Sequence, residues 1–242
     1  MLLLDVGNSR CKWAYVENGA WVQQGVEEKT DWLALQRNFE LLSAPKQIII
    51  SNVGGEAAAL SIRSICSIWS APLEFVIAKS EQCGVRNGYV QPEQLGSDRW
   101  IALIAAWHKF RRACLVVNCG TATTIDTLSA NGEFVGGLIV PGVSLMQQSL
   151  IQNTAQLRDI AGNLEDFPRN TANAIYTGVI RATAGAIQSQ FALMSTSATT
   201  RDAICVISGG AAIKIEKHLG MRVERIDNLV LEGLKIIGEA NA

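Results

Sequence analysis

The chain has little of what marks several common functions. Its 21 Lys and Arg are balanced by 22 Asp and Glu for a net charge of −1, and no basic run is longer than Arg111-Arg112. The electrostatic footprint of a nucleic-acid binder is therefore missing. No apolar stretch is long enough to span a bilayer, and Met1-Leu2-Leu3-Leu4 is interrupted at once by Asp5, which leaves no room for the apolar region of a secretory signal. A cytoplasmic protein with no membrane partner is expected. The six cysteines, Cys11, Cys66, Cys83, Cys114, Cys119 and Cys205, have neither metal-type nor redox-pair spacing and mostly interrupt apolar segments, so they are expected to be buried free thiols. The two histidines, His108 and His218, sit near predicted helix ends with no Cys or Ser partner in sequence and read as structural. Low-complexity linkers are also lacking, and 48% of the residues are apolar, enough for two compact halves around a shared core.

What the chain does have is a repeat. Asp5-Val6-Gly7-Asn8 follows an apolar run and precedes a second strand that reaches Asn18-Gly19; Asn118-Cys119-Gly120-Thr121 does the same before Asn131-Gly132. Asn118, Gly120 and Asn131 each lie 113 residues after Asp5, Gly7 and Asn18, so the two copies align without a gap. Each copy reads as strand, glycine turn, strand, hairpin and strand, with Asn-Gly suited to a type I′ turn. Trp21-Val22 and Phe134-Val135 fall at equivalent places, and the short strands Ile48 to Ser51 and Ile204 to Ser208 are each followed by paired glycines, Gly54-Gly55 and Gly209-Gly210. Two similar α/β halves, 1–112 and 113–242, are predicted, with a cleft between them.

Between these landmarks, Trp32, Leu35, Phe39 and Leu42 recur at helical spacing, Ala57 to Ile68 suggests a second helix, and Leu73 to Ile77 reads as a strand. The polar segment Ser80 to Gln94 reads as a loop with an extended piece around Tyr89-Val90. Ser97-Asp98 opens a helix whose apolar stripe is Trp100, Leu103, Ile104 and Trp107. A helix is expected from Pro141 to about Leu157, a long one from Thr171 to about Met194, and a last one from Asn228 to Glu239 that folds back on the first half. On the long helix Ala174, Gly178, Ala182 and Ala186, with Gly185 beside them, form a smooth stripe that suits either internal packing or a dimer seam.

The glycine turns suggest phosphate binding. Gly7 and Gly120 lack a Cβ, so a polyanion can approach the turn amides, and the hydroxyls of Ser9 and Thr121 are placed to bond phosphate oxygens. Asp5, at a strand end beside such a turn, can hold a magnesium ion that bridges nucleotide phosphates, and Lys12 can neutralise their charge. The Gly209-Gly210 turn is a place to admit an adenine base. For Lys12, Ser9 and Arg10 the other reading is simple exposure beside a turn, and for Gly209-Gly210 a tight strand-to-helix connection. Asp98 is suited either to capping its own helix or to orienting and deprotonating an acceptor hydroxyl, with Arg99 next to it. Asn170 and Thr171 are alternative N-caps of the long helix, and Tyr89 is equally an edge-strand residue.

Taken together, DVGNSRCK from Asp5 to Lys12, GSDR from Gly96 to Arg99, NCGTATTID from Asn118 to Asp126, GGLIVPG from Gly136 to Gly142, and Thr171 before the long helix resemble the type III pantothenate kinases. These belong to the superfamily of actin, sugar kinases and heat-shock chaperone ATPases. The resemblance implies duplicated ribonuclease H-like domains with mixed five-stranded sheets, a homodimer, and ATP-dependent phosphorylation of pantothenate, the first step toward coenzyme A. It also implies roles for residues. Asp5, Val6, Gly7, Asn8, Ser9, Arg10, Cys11 and Lys12, with Thr121, Gly209 and Gly210, would hold ATP and magnesium. Tyr89, Gly96, Ser97, Asp98 and Arg99 would hold pantothenate, with Asp98 as general base. Thr171 would close the substrate site of the partner subunit. One position departs from the pattern. The family's acidic residue for a monovalent cation, potassium or ammonium, is here Asn118, which keeps a carbonyl oxygen but no charge. A non-catalytic regulator on the same fold, or another small-molecule kinase of the superfamily, is the competing reading.

Overall fold

The computed structural model describes residues 1–29, 31–152 and 161–241. It divides into two compact units, Met1–Lys109 with Asn228–Ala242, and Phe110–Asp227. The first unit begins with β1 (Leu2–Val6), β2 (Arg10–Glu17) and β3 (Ala20–Glu28), continues through α1 (Trp32–Glu40), β4 (Ile48–Asn52), α2 (Glu56–Cys66) and β5 (Leu73–Phe75), then forms a small hairpin, β6 (Glu81–Gln82) and β7 (Val85–Asn87), before α3 (Ser97–Phe110). In the second unit β8 (Cys114–Cys119), β9 (Ala122–Leu128) and β10 (Glu133–Pro141) are followed by α4 (Val143–Gln152), α5 (Thr171–Met194), β11 (Ile204–Ser208), α6 (Ala212–Ile215) and β12 (Val223–Arg225). The last helix, α7 (Leu229–Ala240), belongs with the first unit.

The repeat is real at the level of topology. The first unit's sheet runs β3-β2-β1-β4-β5, and β10-β9-β8-β11-β12 is the same order in the second. In both, the first three strands are antiparallel and the last two run parallel to the first. The duplicated, mixed arrangement expected is present, but only the first sheet has five strands; the second has seven. Val22 is an extra residue in β3 opposite the Tyr15–Val16 step of β2, and Val135 is the extra residue in β10 opposite Thr127–Leu128. Both bulges therefore fall at the equivalent place, where a bulge sharpens the local twist.

The gapless spacing hides two compensating differences. In the first copy Asp5 pairs with Lys12, whereas Asn118 pairs with Thr124, so the second glycine turn is one residue tighter. The lost residue returns in the hairpin. Asn18 and Gly19 form a two-residue turn with φ of 48° and 77°, as a type I′ turn requires. In the second copy Ser129 N–H bonds Glu133 O and only Gly132 is left-handed, so Asn131-Gly132 is not a type I′ turn but the end of a longer loop.

Strand alternation sorts the two faces of the first sheet. Leu2, Leu4 and Val6 join Trp13, Leu35, Phe39, Ile50 and Ile62 in a core under α1 and α2, where the Trp13 and Phe39 rings meet edge-on at 5.6 Å. Residues on the other face include Asp5 and Ile49, and α7 lies so close there that a Cβ on Gly238 would come 2.5 Å from the Ile49 side chain. The α7 backbone also crosses α3 at contact: a Cβ on Gly233 would fall 2.2 Å from Ile101 O. In the second unit α5 covers Leu115, Val117, Ile125, Cys205 and Ile207 through Val179, Ile180, Ala184 and Ile187.

Four local expectations are corrected. Tyr89-Val90 lies in a bend, and the extended piece is instead the β6–β7 hairpin, whose Cys83-Gly84 turn takes the two positive φ values an Asn-Gly pair usually supplies. Pro141 ends β10 and does not begin a helix; α4 starts at Val143, and its expected continuation to about Leu157 lies outside the described residues. Helix α3 buries Arg99 through Ala106 without interruption, far more than one stripe. Of the six thiols, Cys83 is only partly buried, while the other five are buried and free.

Candidate active site

The first glycine turn is held from within and from behind. Gly7 N–H bonds Arg10 O at 2.9 Å, and Gly54 approaches so closely that a Cβ there would sit 3.0 Å from Gly7 O. Asn52 fixes that second turn, accepting from Gly54 N–H at 3.0 Å and donating to Gly55 O at 3.0 Å, while Lys29 Nζ donates to Gly54 O at 2.7 Å. The Gly54-Gly55 turn thus acts as a buttress for Gly7. Asn8, Ser9 and Arg10 project from the first turn and are exposed, whereas Val6 and Cys11 are buried and offer the site only their backbone. The Arg10 side chain forms an exposed ion pair with Glu28 at 3.2 Å, an interaction of little energetic weight. Burial, reinforced by Asp5, pushes the Cys11 thiol up to about 12, so it is inert.

Around Asp5 the structure gathers charge. In the sheet register Asp5 stands between Lys12 of β2 and Ser51 of β4, and it also feels Asp98 at the start of α3. Burial pushes the Asp5 carboxyl up to about 7, the Asp98 charge adds to the shift, and Lys12 opposes it. Asp98 is raised too, by burial first, with the Arg99 backbone N–H and guanidinium pulling the other way. Two desolvated carboxylates with an ammonium and a guanidinium nearby suit a divalent cation and a polyphosphate. Among the described residues no three His, Cys, Asp or Glu side chains cluster as a metal cage.

Asp98 does not cap its helix in the usual way. Its Oδ1 accepts from the adjacent Arg99 N–H at 2.9 Å, and a Cβ on Gly96 would lie 2.8 Å from that same oxygen. Gly96 is therefore what leaves the carboxylate its place. The neighbouring Ser97 is buried and its Oγ meets Ser51 Oγ at 3.1 Å, tying the start of α3 to the strand beside Asp5. Arg99, 5% exposed, donates from Nη1 to Tyr89 Oη at 3.1 Å with its guanidinium 5.8 Å from the ring. Tyr89, Gly96, Ser97, Asp98 and Arg99 are thus one connected group within the first unit. Ser51 escaped the sequence reading; its only signal was a small polar residue closing a run of three isoleucines.

In the second unit the equivalent turn closes from Gly120 N–H to Ala122 O at 3.0 Å. Glycine buttresses it twice. A Cβ on Gly142 would sit 2.3 Å from Gly120 O, and one on Gly209, whose φ is +96°, would sit 2.5 Å from Cys119 O. A Cβ on Gly210 would meet nothing within 4 Å among the described residues, and Thr121 is exposed. Asn118 lies in register with Thr124 and Ser208, all neutral, where the first unit has Asp5, Lys12 and Ser51. At α5 the cap is Asn170, whose Oδ1 accepts from Asn173 N–H at 2.9 Å, which leaves Thr171 exposed at the first helical position. On α5 the small residues Ala174, Gly178, Ala182 and Gly185 are exposed while Ala186 packs partly against the core, and Cβ atoms added at Gly178 and Gly185 would meet nothing within 4 Å among the described residues.

The chain is similar to known proteins over most of its length. The sequence profile of the type III pantothenate kinases matches residues 1–193. The type III pantothenate kinase of Nitrosospira multiformis is 43% identical over 98% of this chain and 90% of its own length, and that of Aromatoleum aromaticum is 43% identical over 100% and 99%. Among solved structures, a Baf-family transcriptional activator protein from Campylobacter jejuni superposes with a TM-score of 0.63 at 21% identity, covering 100% of this chain and 98% of that one. A protein named as a 2-dehydro-3-deoxygalactonokinase from Sinorhizobium meliloti gives 0.64 at 14% identity, over 99% and 98%. These two likenesses speak to the fold alone. On the sequence match over nearly its whole length, the chain belongs to the type III pantothenate kinase family.

Proposed function

We propose that this protein transfers the γ-phosphoryl group of ATP to the hydroxyl of pantothenate, giving 4′-phosphopantothenate for coenzyme A synthesis. The observation that carries the reading is full-length membership of the family together with a connected group, Tyr89, Gly96, Ser97, Asp98 and Arg99, beside the Asp5–Lys12 pair. Phosphoryl transfer through a loose transition state asks for positioning and charge neutralisation more than covalent help. Lys12 and the amides of the turn from Val6 to Cys11 are assigned to the ATP phosphates, with Thr121, Gly209 and Gly210 assigned to the nucleotide as well. Asp5 is the magnesium ligand, and the metal, when bound, offsets charge on the phosphate oxygens.

Asp98 accepts a hydrogen bond from the attacking hydroxyl. As the new P–O bond forms and the bond to the leaving ADP oxygen breaks, that hydroxyl proton passes to the Asp98 carboxylate. Burial raises the proton affinity of Asp98, which suits it to take the proton late. Arg99, held by Tyr89, is oriented for the substrate carboxylate or the transferring group, where a guanidinium fork matches paired oxygens. The protein works in the cytoplasm as a homodimer built on the outward face of α5, with Thr171 closing the partner's substrate site. A monovalent cation, held through the Asn118 carbonyl, completes the cofactor set. Pantothenate is the small-molecule partner, and neither nucleic acid nor membrane is one.

An ATP-consumption assay with pantothenate, a small panel of sugars, and acetate tests the reading. Turnover with pantothenate alone is expected. Turnover with another acceptor would make it a different kinase of the superfamily, and turnover with none would make it a non-catalytic member.

A further inference from the structure

Asn228 stands just before α7 with φ of +57°, in the left-handed region, and its side chain does not cap the helix. Its amide is engaged elsewhere. Oδ1 accepts a hydrogen bond from Lys12 Nζ at 3.1 Å, and Nδ2 donates to Gln24 Oε1 at 3.4 Å. The first bond fixes which way the amide points, because only its oxygen can face an ammonium. If the left-handed backbone were all this position required, glycine would serve it at lower cost. The side chain instead reaches the one cation in register with Asp5.

We propose that Asn228 is a positioning residue for Lys12, holding its ammonium beside Asp5 so that it is already in place when nucleotide phosphates arrive. A lysine has a flexible four-carbon stem, and ordering it at the moment of binding costs affinity. An acceptor that orders it beforehand removes that cost. The chemistry of the acceptor matters as well. An amide oxygen is neutral, so it fixes Lys12 without cancelling the positive charge that phosphate needs, and it takes one of three N–H donors and leaves two. A carboxylate at 228 would hold the ammonium more strongly but neutralise it. The inference rests on the assignment of Lys12 to the ATP phosphates.

The test is a double-mutant cycle with Asn228→Gly and Lys12→Met, read by kcat and KM for ATP and by the thermal unfolding midpoint. Glycine accepts the left-handed backbone, so Asn228→Gly is expected to unfold no earlier than the parent. It is nevertheless expected to lose about tenfold in kcat/KM for ATP, the scale of one hydrogen bond to a charged group, mainly through KM. In the Lys12→Met background the same substitution should cost nothing further. Full activity of Asn228→Gly, or an equal loss with and without Lys12, would overturn the inference. Near-parental activity of Lys12→Met alone would overturn the assignment of Lys12 itself, and the inference with it, which is a distinguishable failure.

Discussion

Asp5 and Lys12 are direct cross-strand partners on β1 and β2, and the same two places in the second unit hold Asn118 and Thr124. The duplicated fold therefore carries its acid and its cation in one copy and neutral amide and hydroxyl groups in the other. Side chains directly opposite across an antiparallel pair lie on the same side of the sheet, so Lys12 is held near Asp5 by the backbone alone.

Burying Asp5 costs stability in the ligand-free protein. Its carboxyl titrates at about 7 when folded against 3.8 when free, so between those values the folded state keeps a proton that the unfolded state releases. The contribution is most favourable below the unfolded value and is lost as pH rises through the folded one. Asp5→Asn should therefore raise the unfolding free energy at pH 8, without magnesium, by on the order of 4 kcal/mol, a gain that shrinks toward zero near pH 4. Activity should vanish. Denaturant melts of both proteins across that range decide it, and a variant no more stable than the parent at pH 8 would contradict the argument.

Asp98→Asn keeps the oxygen that accepts from the Arg99 N–H, so the start of α3 should be undisturbed and the unfolding midpoint no lower. Turnover should fall on the order of a hundredfold or more, because an amide cannot take the hydroxyl proton. Steady-state kinetics with pantothenate, beside calorimetric binding of pantothenate, separate the two effects. A variant that turns over normally removes Asp98 from the role of base.

Gly178 offers an unusually clean probe of assembly. A Cβ there meets nothing within 4 Å among the described residues, so Gly178→Leu is expected to fold, with a clash coming from a second molecule packed on this stripe. If two α5 helices meet along this stripe, sedimentation should report monomers, and activity should drop because Thr171 no longer reaches the neighbouring site. An intact dimer in the variant would move the interface elsewhere.

Asn118 is predicted to weaken a monovalent cation, because a neutral carbonyl oxygen replaces a carboxylate. Asn118→Asp should lower the potassium needed for half-maximal activity by about tenfold, since a charge at a partly solvated site is worth about 1 to 2 kcal/mol. Titrating potassium against rate in both proteins gives the answer, and an identical requirement would refute it.

Much of this was legible in the sequence because backbone rules write themselves into residue types. The two glycine turns, the Asn18-Gly19 hairpin and the short strands of each copy follow from glycine placement and short apolar runs. What stayed hidden depended on neighbours far apart in the chain. Nothing local says that Ser51 meets Ser97, that Gly54 stands behind Gly7, or that Asn228 turns from its helix to Lys12. The second hairpin misled for a related reason. Asn131-Gly132 is the right dipeptide, but the tighter turn at Gly120 had already shifted β9 by one residue, and the loop absorbed the difference. Pro141 misled because a proline can close the last position of a strand as well as open a helix.

The place of α7 has a consequence for the order in which the protein can be made. The helix lies along β1 and β4, touches α3 where Gly233 leaves no room for a side chain, and follows the entire second unit in the chain. During synthesis, Phe110–Asp227 is therefore a continuous stretch that can complete its own sheet as it leaves the ribosome. The unit translated first must wait, its Asp5 face uncovered, until residues 229–240 emerge. A ribosome-stalled chain ending before Asn228 should give a protease-resistant second unit and a cleavable first one, so the end that carries Asp5 and Asp98 is the last to become native.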